Sequence, residues 1–181
     1  MTDQAASVLA KLKNKAKISG ISYQQCLQLF FQEEFLRRLA GSNYAGNFIL
    51  KGGLFIYTLT NFESRATVDV DFLMRGLNND LAEMDRIIAE ILTVTTDYDF
   101  VILKAGKTKP IALEKKYHGV SAQITGSIKN VRVPFQVDIG VGDVIIPCPE
   151  RREIRTQLEG DDFRGGIFPE MGCRDRAVEK Q

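Results

Sequence analysis

Cysteine is scarce in this sequence and histidine nearly absent: Cys26, Cys148 and Cys173 are the only thiols and His118 the only imidazole in 181 residues. Three cysteines, odd in number and far apart, do not make a disulfide framework; they read as free thiols in a reducing compartment. With no Cys-x-x-Cys pair, a structural zinc site is not expected. A Ser-His-Asp mechanism would hang on His118 alone, which is read as structural. Net charge is nearly missing too, since 24 Lys+Arg against 23 Asp+Glu leave +1. The chain therefore has no global attraction for a polyanion, and any such site has to be local. No apolar run approaches the roughly 20 residues of a membrane-spanning helix. The stretch Met1 to Gly20 is polar and lysine-bearing, without the apolar centre of a secretory signal. A soluble, cytoplasmic protein with no membrane partner is expected. Prolines number five, while 44% of residues are hydrophobic and 26% charged, the balance of a chain that folds as one mixed domain.

What is present begins with helices. The stretch from Thr2 to Lys17 reads as helical, its lysines (Lys11, Lys13, Lys15, Lys17) scattered around a solvated surface rather than lined up as a phosphate stripe. From Ser22 to Ala40 a second helix carries Cys26, Leu27, Phe30, Phe31, Phe35, Leu36 and Leu39 over most of its circumference, as expected of a helix packed between other elements. A short apolar run, Phe48-Ile49-Leu50, ends at Lys51-Gly52-Gly53, and Leu54 to Leu59 reads as a short helix led by the glycines. Thr67 to Met74 has the period of a strand, with Val68, Val70 and Phe72 on one side and Asp69 and Asp71 on the other. Leu77 to Val94 is an amphipathic helix in which Asp80, three before Glu83, resembles a capping box. Phe100 to Leu103 reads as a strand and Gly106 to Pro110 as a lysine-rich loop. Val120, Ala122 and Ile124 alternate weakly. Val131, Val133, Phe135, Val137 and Ile139 alternate strongly and leave Arg132, Gln136 and Asp138 opposite; Pro134 within that run argues for an edge or a bulge. The expected class is α+β, a small mixed sheet flanked by helices. A helical segment (1–47), a core (48–150) and the start of a C-terminal segment (151–181) are expected.

Asp69 and Asp71, two apart on a strand, project from one face with Cα atoms roughly 6.5–7 Å apart. Two carboxylates at that spacing can converge on one hard cation or bracket a pair of them. Alone, such a pair is ordinary. Upstream, Gly52 and Gly53 let the backbone approach a ligand at a helix N-terminus, which binds phosphate readily, and Lys51 adds a cation beside them. A glycine turn, a short helix and a strand with Asp-x-Asp together describe a site for a triphosphate and its Mg²⁺. Asp138 joins the two carboxylates if its strand neighbours theirs, as a further metal ligand or as acceptor of the attacking hydroxyl's proton; Asp143 is a lesser rival. Arg65 and Thr67, just before the acidic strand, could contact phosphate. Lys104, Lys107, Lys109, Lys115 and Lys116 form the most basic local stretch, open to reading as a solvated loop or as a guide for RNA or nucleotide.

The run from Phe48 to Leu54, with Arg65-Ala66-Thr67-Val68-Asp69-Val70-Asp71-Phe72 downstream, resembles the AbiEii/AbiGii toxin family of nucleotidyltransferases. The Glu34 to Leu39 helix, the Ser42-Asn43-Tyr44 turn and Val137-Asp138-Ile139 match its style, so the likeness extends from about Ser22 to Asp143. The resemblance implies a DNA-polymerase-β-like nucleotidyltransferase fold and Mg²⁺-dependent transfer of a nucleotide from an NTP to an acceptor such as the 3′ end of tRNA. It also implies a toxin of a type IV toxin–antitoxin or phage-defence system, beside a winged-helix antitoxin. By position, Gly52 and Gly53 would hold the triphosphate, Asp69 and Asp71 the metal, and Asp138 would complete the triad. Thr67 stands where the family usually has serine. Ala177-Val178-Glu179-Lys180 is similar to the opening of the family's helical C-terminal part, which makes Lys180 the counterpart of its catalytic lysine. The chain stops at Gln181, so the resemblance is to a truncated member. Either a working transferase or a core that only binds nucleotide or a partner fits that description.

Overall fold

The computed structural model describes residues 3–59, 67–112, 118–141, 149–158 and 163–169. Asp3 caps the first helix, α1 (Gln4–Ser19), by accepting the Ala6 N–H, and Gly20, left-handed at φ 72°, ends it. Ala5, Val8, Leu12 and Ala16, three and four apart, form its buried stripe, while Lys11, Lys13 and Lys17 stay in solvent. The next helix, α2 (Tyr23–Ala40), opens with a full capping box. Ser22 Oγ accepts from the Gln25 N–H and Gln25 Oε1 from the Ser22 N–H, each at 3.1 Å. Burial runs around the whole of α2, as its apolar residues foretold, and takes in Gln32, Glu33, Glu34 and Arg38 as well.

After α2 come β1 (Phe48–Lys51), α3 (Gly52–Leu59), β2 (Asp69–Met74), α4 (Leu81–Leu92), β3 (Ile102–Ala105) and β4 (Lys109–Ala112). The remaining strands are β5 (His118–Ile128), β6 (Val131–Val141), β7 (Pro149–Ile154) and β8 (Phe163–Pro169). They form one sheet in the order β3-β5-β6-β2-β1-β8-β7, with β4 following β3 along the same edge of β5. Pairing is parallel between β2 and β6 and between β1 and β8, and antiparallel elsewhere. The sheet is therefore mixed and the class α+β.

One hydrophobic cluster runs from Ala5 on α1 through α2, the sheet and α4 to Leu158. It is continuous across residue 47 and across residue 150. Phe31 of α2 sits directly on β5 because Gly126 has no side chain there; an added Cβ would fall 2.2 Å from the ring. Several buried polar groups on α2 bind neighbouring elements. Arg38 binds Glu34 at 2.9 Å and donates to the carbonyls of Leu92 and Val101, tying α2 to the end of α4 and the approach to β3. The Gln157 N–H donates to Glu33, and the Gln157 amide donates to the Cys26 carbonyl.

Several boundaries differ from expectation. α4 begins at Leu81, not Leu77, because Asp80 is its cap. The capping box there is only half made: Asp80 accepts from Ala82 and Glu83, while the Glu83 carboxylate turns to Arg86 instead of back to the cap. Lys109 and Pro110, expected in a loop, open β4. The weakly alternating stretch around Val120 is part of the 11-residue β5. Pro134 lies in a strand with neighbours on both sides, yet β2 pairs with β6 only from Gln136 onward. At Pro134 itself the β2 side is open, so the missing N–H costs no ladder bond there. Among the described residues no helix is long and apolar enough to cross a membrane.

Candidate active site

Parallel pairing of β2 with β6 sets Asp71 opposite Asp138 and Asp69 opposite Gln136; antiparallel pairing with β1 sets Lys51 opposite Asp71 on the other side. Register partners project to the same face from strands about 4.8 Å apart. Lys51, Asp69, Asp71, Gln136 and Asp138 therefore share one surface. The reason is the strand period: Val70 and Phe72 are 0% and 1% exposed on the core side, which turns the carboxylates the other way. Val68 does not join them. It is 61% exposed, in a bend before the strand, contrary to its expected place on the buried side. Its carbonyl is what the fold uses, accepting from Gln28 Nε2 at 2.7 Å and Gln32 Nε2 at 2.8 Å. Two glutamines of α2 thus fix the backbone where the acidic strand begins.

At the end of β1 the chain turns at Gly52, left-handed at φ 72°, and enters α3. The turn brings the helix start against the acidic strand. A Cβ on Gly52 would lie 2.3 Å from Asp71 Oδ2, and one on Gly53 would lie 3.0 Å from Thr67 Oγ1. The Thr67 hydroxyl also donates to the Asp69 carbonyl at 3.3 Å. Lys51 does not point along the turn. Its Nζ crosses toward β6, to within 3.5 Å, an ordinary contact distance, of where a Cβ on Gly140 would stand.

The electrostatics follow from this crowding. Partial burial pushes the Asp71 carboxyl above the usual carboxylate range; Asp138 adds to the push, Lys51 opposes it and Asp69 adds again. Asp69 is raised in the same direction, by burial first and then by Asp138. Like charges held together disfavour their own ionised forms, and a cation among them reverses that. Carboxylate oxygens are the donors hard divalent ions prefer, so the residues fit such an ion by chemistry. Among the described residues, however, no three ligating groups already converge on one ion position. The Asp138 oxygens instead accept from Gln136 Nε2 at 2.9 and 3.1 Å. Binding an ion would exchange that amide for the metal.

Of the residues singled out in the sequence, Lys51, Gly52, Gly53, Thr67, Asp69, Asp71 and Asp138 are brought together. Arg65 and Lys180 lie outside the described residues, as do Asp143, Lys115 and Lys116. Two sets of contributors were missed. Gln136 was placed on the polar face by its period but given no role, although that period was the signal available. Gln28 and Gln32 carry no such signal, because only the packing of α2 brings them to Val68.

The family model described as "Nucleotidyl transferase AbiEii toxin, Type IV TA system" matches residues 34–174. A crystal structure from H. pylori, provisionally named a nucleotidyltransferase, is 15% identical with a TM-score of 0.46, over 80% of this chain and 54% of that one. The chain thus spans about half the length of that protein. No curated protein matches.

Proposed function

The chain belongs to the AbiEii family of nucleotidyl transferase toxins of type IV toxin–antitoxin systems, and on that footing we propose that it transfers a nucleotide from an NTP to an RNA acceptor, the 3′ end of a tRNA. The observation that carries this reading is the register of Asp71 with Asp138, beside the Gly52 turn. It supports a triphosphate lying along Gly52 and Gly53 and carboxylates facing its α-phosphorus.

Asp69, Asp71 and Asp138 would hold Mg²⁺, which when bound supplies positive charge to the triphosphate and to the developing charge at phosphorus. The acceptor hydroxyl oxygen forms a bond to the α-phosphorus. The bond from that phosphorus to the bridging oxygen of the β-phosphate breaks, and pyrophosphate leaves with the electron pair. Asp138, whose carboxylate accepts the Gln136 amide of its own strand, would take the hydroxyl proton as general base. Gly52 and Gly53 allow close approach of backbone to phosphate, and Lys51 balances the carboxylates. Arg65 would contact phosphate, and Lys180 would act as the family's lysine does. In the cell the protein would be a cytoplasmic toxin with phage defence as its setting, held in check by a winged-helix antitoxin.

The test is incubation with each α-labelled NTP, Mg²⁺ and total RNA. Label enters tRNA with wild type and not with Asp71→Ala. Absence of label from every RNA with all four NTPs, in a protein whose melting temperature Mg·NTP nonetheless raises, identifies a nucleotide-binding core without transfer.

A further inference from the structure

The face that carries Asp69, Asp71 and Asp138 continues across β6, β5 and β3. On β5, Ser121, Gln123, Thr125 and Ser127 stand outward, while Val120, Ala122, Ile124 and Ile128 are 2% exposed or less. The outward partners on β6 are Asp138, Gln136, Pro134 and Arg132; on β3 they are Lys104 and Ile102. Lys109 of β4 stands opposite Ser121. A shallow groove of about 450 Å³ lies on this face, lined in part by Lys104, Thr125, Ser127, Lys129 and Arg132. Lys129 sits in the two-residue turn between β5 and β6 and pairs with Asp3.

Charge is divided across this surface. Among the described residues, Asp138 is the one carboxylate facing outward on β3, β5 and β6; the rest of the face is hydroxyl, amide and cation. From β2 to β3 is three strand spacings, roughly 14 Å, and from Arg132 to Asp138 six residues, roughly 20 Å. A cationic margin therefore lies several nucleotides' reach from the carboxylates, on one open surface. The chain's near-zero net charge conceals this, because the fold segregates the two signs.

We propose that this face is the track for the RNA acceptor strand, with Lys104, Lys109 and Arg132 neutralising backbone phosphates so that the 3′ hydroxyl arrives at Asp138. The proposal rests on the nucleotidyl-transfer reading. No aromatic side chain faces outward on these strands among the described residues, so there is no stacking platform of the kind that grips bases. The track holds backbone, and its affinity depends steeply on salt and little on sequence.

The experiment measures anisotropy of fluorescent bulk tRNA over a salt series, for wild type, for Lys104→Gln/Lys109→Gln/Arg132→Gln and for Asp71→Ala. In the triple variant the slope of log K against log salt should become shallower by about 2, as expected for three single-strand phosphate contacts at roughly 0.7 each. Affinity should fall at least tenfold, and in the labelling assay KM for tRNA should rise with KM for NTP and kcat unchanged. Asp71→Ala should bind tRNA as wild type does. All three substituted side chains are exposed, and an unchanged melting temperature certifies the fold; Arg132→Glu alone gives a second, independent reading in the same direction. Unchanged affinity and slope in the folded variants overturn the proposal, including the case in which these residues hold an acidic protein instead, and so does a wild type that does not bind tRNA. A wild type that binds with the expected slope but transfers nothing overturns the activity and leaves the track standing. Transfer to tRNA with an unaltered KM in the triple variant does the reverse.

Discussion

The carboxylate of Asp71 occupies the space a side chain on Gly52 would need: Oδ2 lies 2.3 Å from the position of an added Cβ. Gly52 is also left-handed at φ 72°. Substitution there meets two penalties at once, a strained backbone and a displaced carboxylate. Gly52→Ala should cost roughly 1–3 kcal/mol in stability, the range for a non-glycine residue held in that region. Transfer should fall further than that loss explains, because Asp71 must move. Urea unfolding and the labelling assay, run on the same preparation, separate the two effects.

Asp71 is partly buried among like charges, an arrangement that favours function over stability. Asp71→Asn keeps the shape and removes one charge. In the presence of a chelator its melting temperature should exceed that of wild type, while transfer in Mg²⁺ drops on the order of a hundredfold or more, the usual effect of deleting a preorganised electrostatic group. Calorimetry in chelator decides; a lower melting temperature would mean that Asp71 is stabilised by its surroundings.

Gln32 is fully buried, and with Gln28 it fixes the Val68 carbonyl. Gln32→Leu removes one of the two amides on the Val68 carbonyl and should destabilise by about 0.5–1.5 kcal/mol, the net worth of one such hydrogen bond. If the clamp positions the acidic strand, the concentration of Mn²⁺ or Mg²⁺ needed for half-maximal transfer should rise as well. Gln32→Glu, offering no amide donor, should not restore it.

Arg38 reaches Glu34, the Leu92 carbonyl and the Val101 carbonyl from one buried guanidinium. Arg38→Ala leaves Glu34 without that partner and removes the tie between α2 and α4. A loss of roughly 3–5 kcal/mol is expected, as when one member of a buried ion pair is deleted. Arg38→Lys should recover little, because a single ammonium cannot address three acceptors in a fork.

Cys26 is fully buried, and burial first, then the nearby Glu33, push its thiol up to about 11 from 9.0. Between those values the unfolded chain has lost the thiol proton and the folded chain has kept it. Stability supplied by this group is therefore present below pH 9.0 and lost as pH rises toward 11. The stability difference between wild type and Cys26→Ala should shrink by up to about 2 kcal/mol over that interval, each pKa unit being worth about 1.4 kcal/mol. At pH 8, peptide mapping after brief maleimide treatment should find Cys26 unmodified in native protein and labelled in urea.

The parts of the site that depend on local chemistry were legible early. A glycine pair between a short strand and a short helix reads directly as a turn, and the two-residue period of Asp69 to Phe72 and of Val131 to Ile139 fixes which side chains face away from the core. The burial of α2 on all sides was legible from its apolar residues. What misled was local pattern without its partner: Val68 fits the alternation yet precedes the strand, and Asp80 with Glu83 fits a capping box until Arg86 takes the glutamate. The capping box that does form, Ser22 with Gln25, has the Ser-x-x-Gln spacing in the sequence.

By itself the sequence determined the pieces: which residues turn, which alternate, and that three carboxylates lie on the polar sides of two strands. Only the tertiary structure decided that those strands are neighbours, parallel and in register, so that Asp71 meets Asp138 while Lys51 crosses above them. It also decided that Gln28 and Gln32 hold the backbone at Val68, and that Lys104, Lys109 and Arg132 share the carboxylates' face. The physical reason is that side-chain direction follows from a two-residue period within one strand, whereas the choice of neighbour and register is a property of the whole packed sheet. The opening pair, Asp71 and Gly52, shows both at once. The glycine permits the turn, and the packing of β1 against β2 puts the carboxylate there.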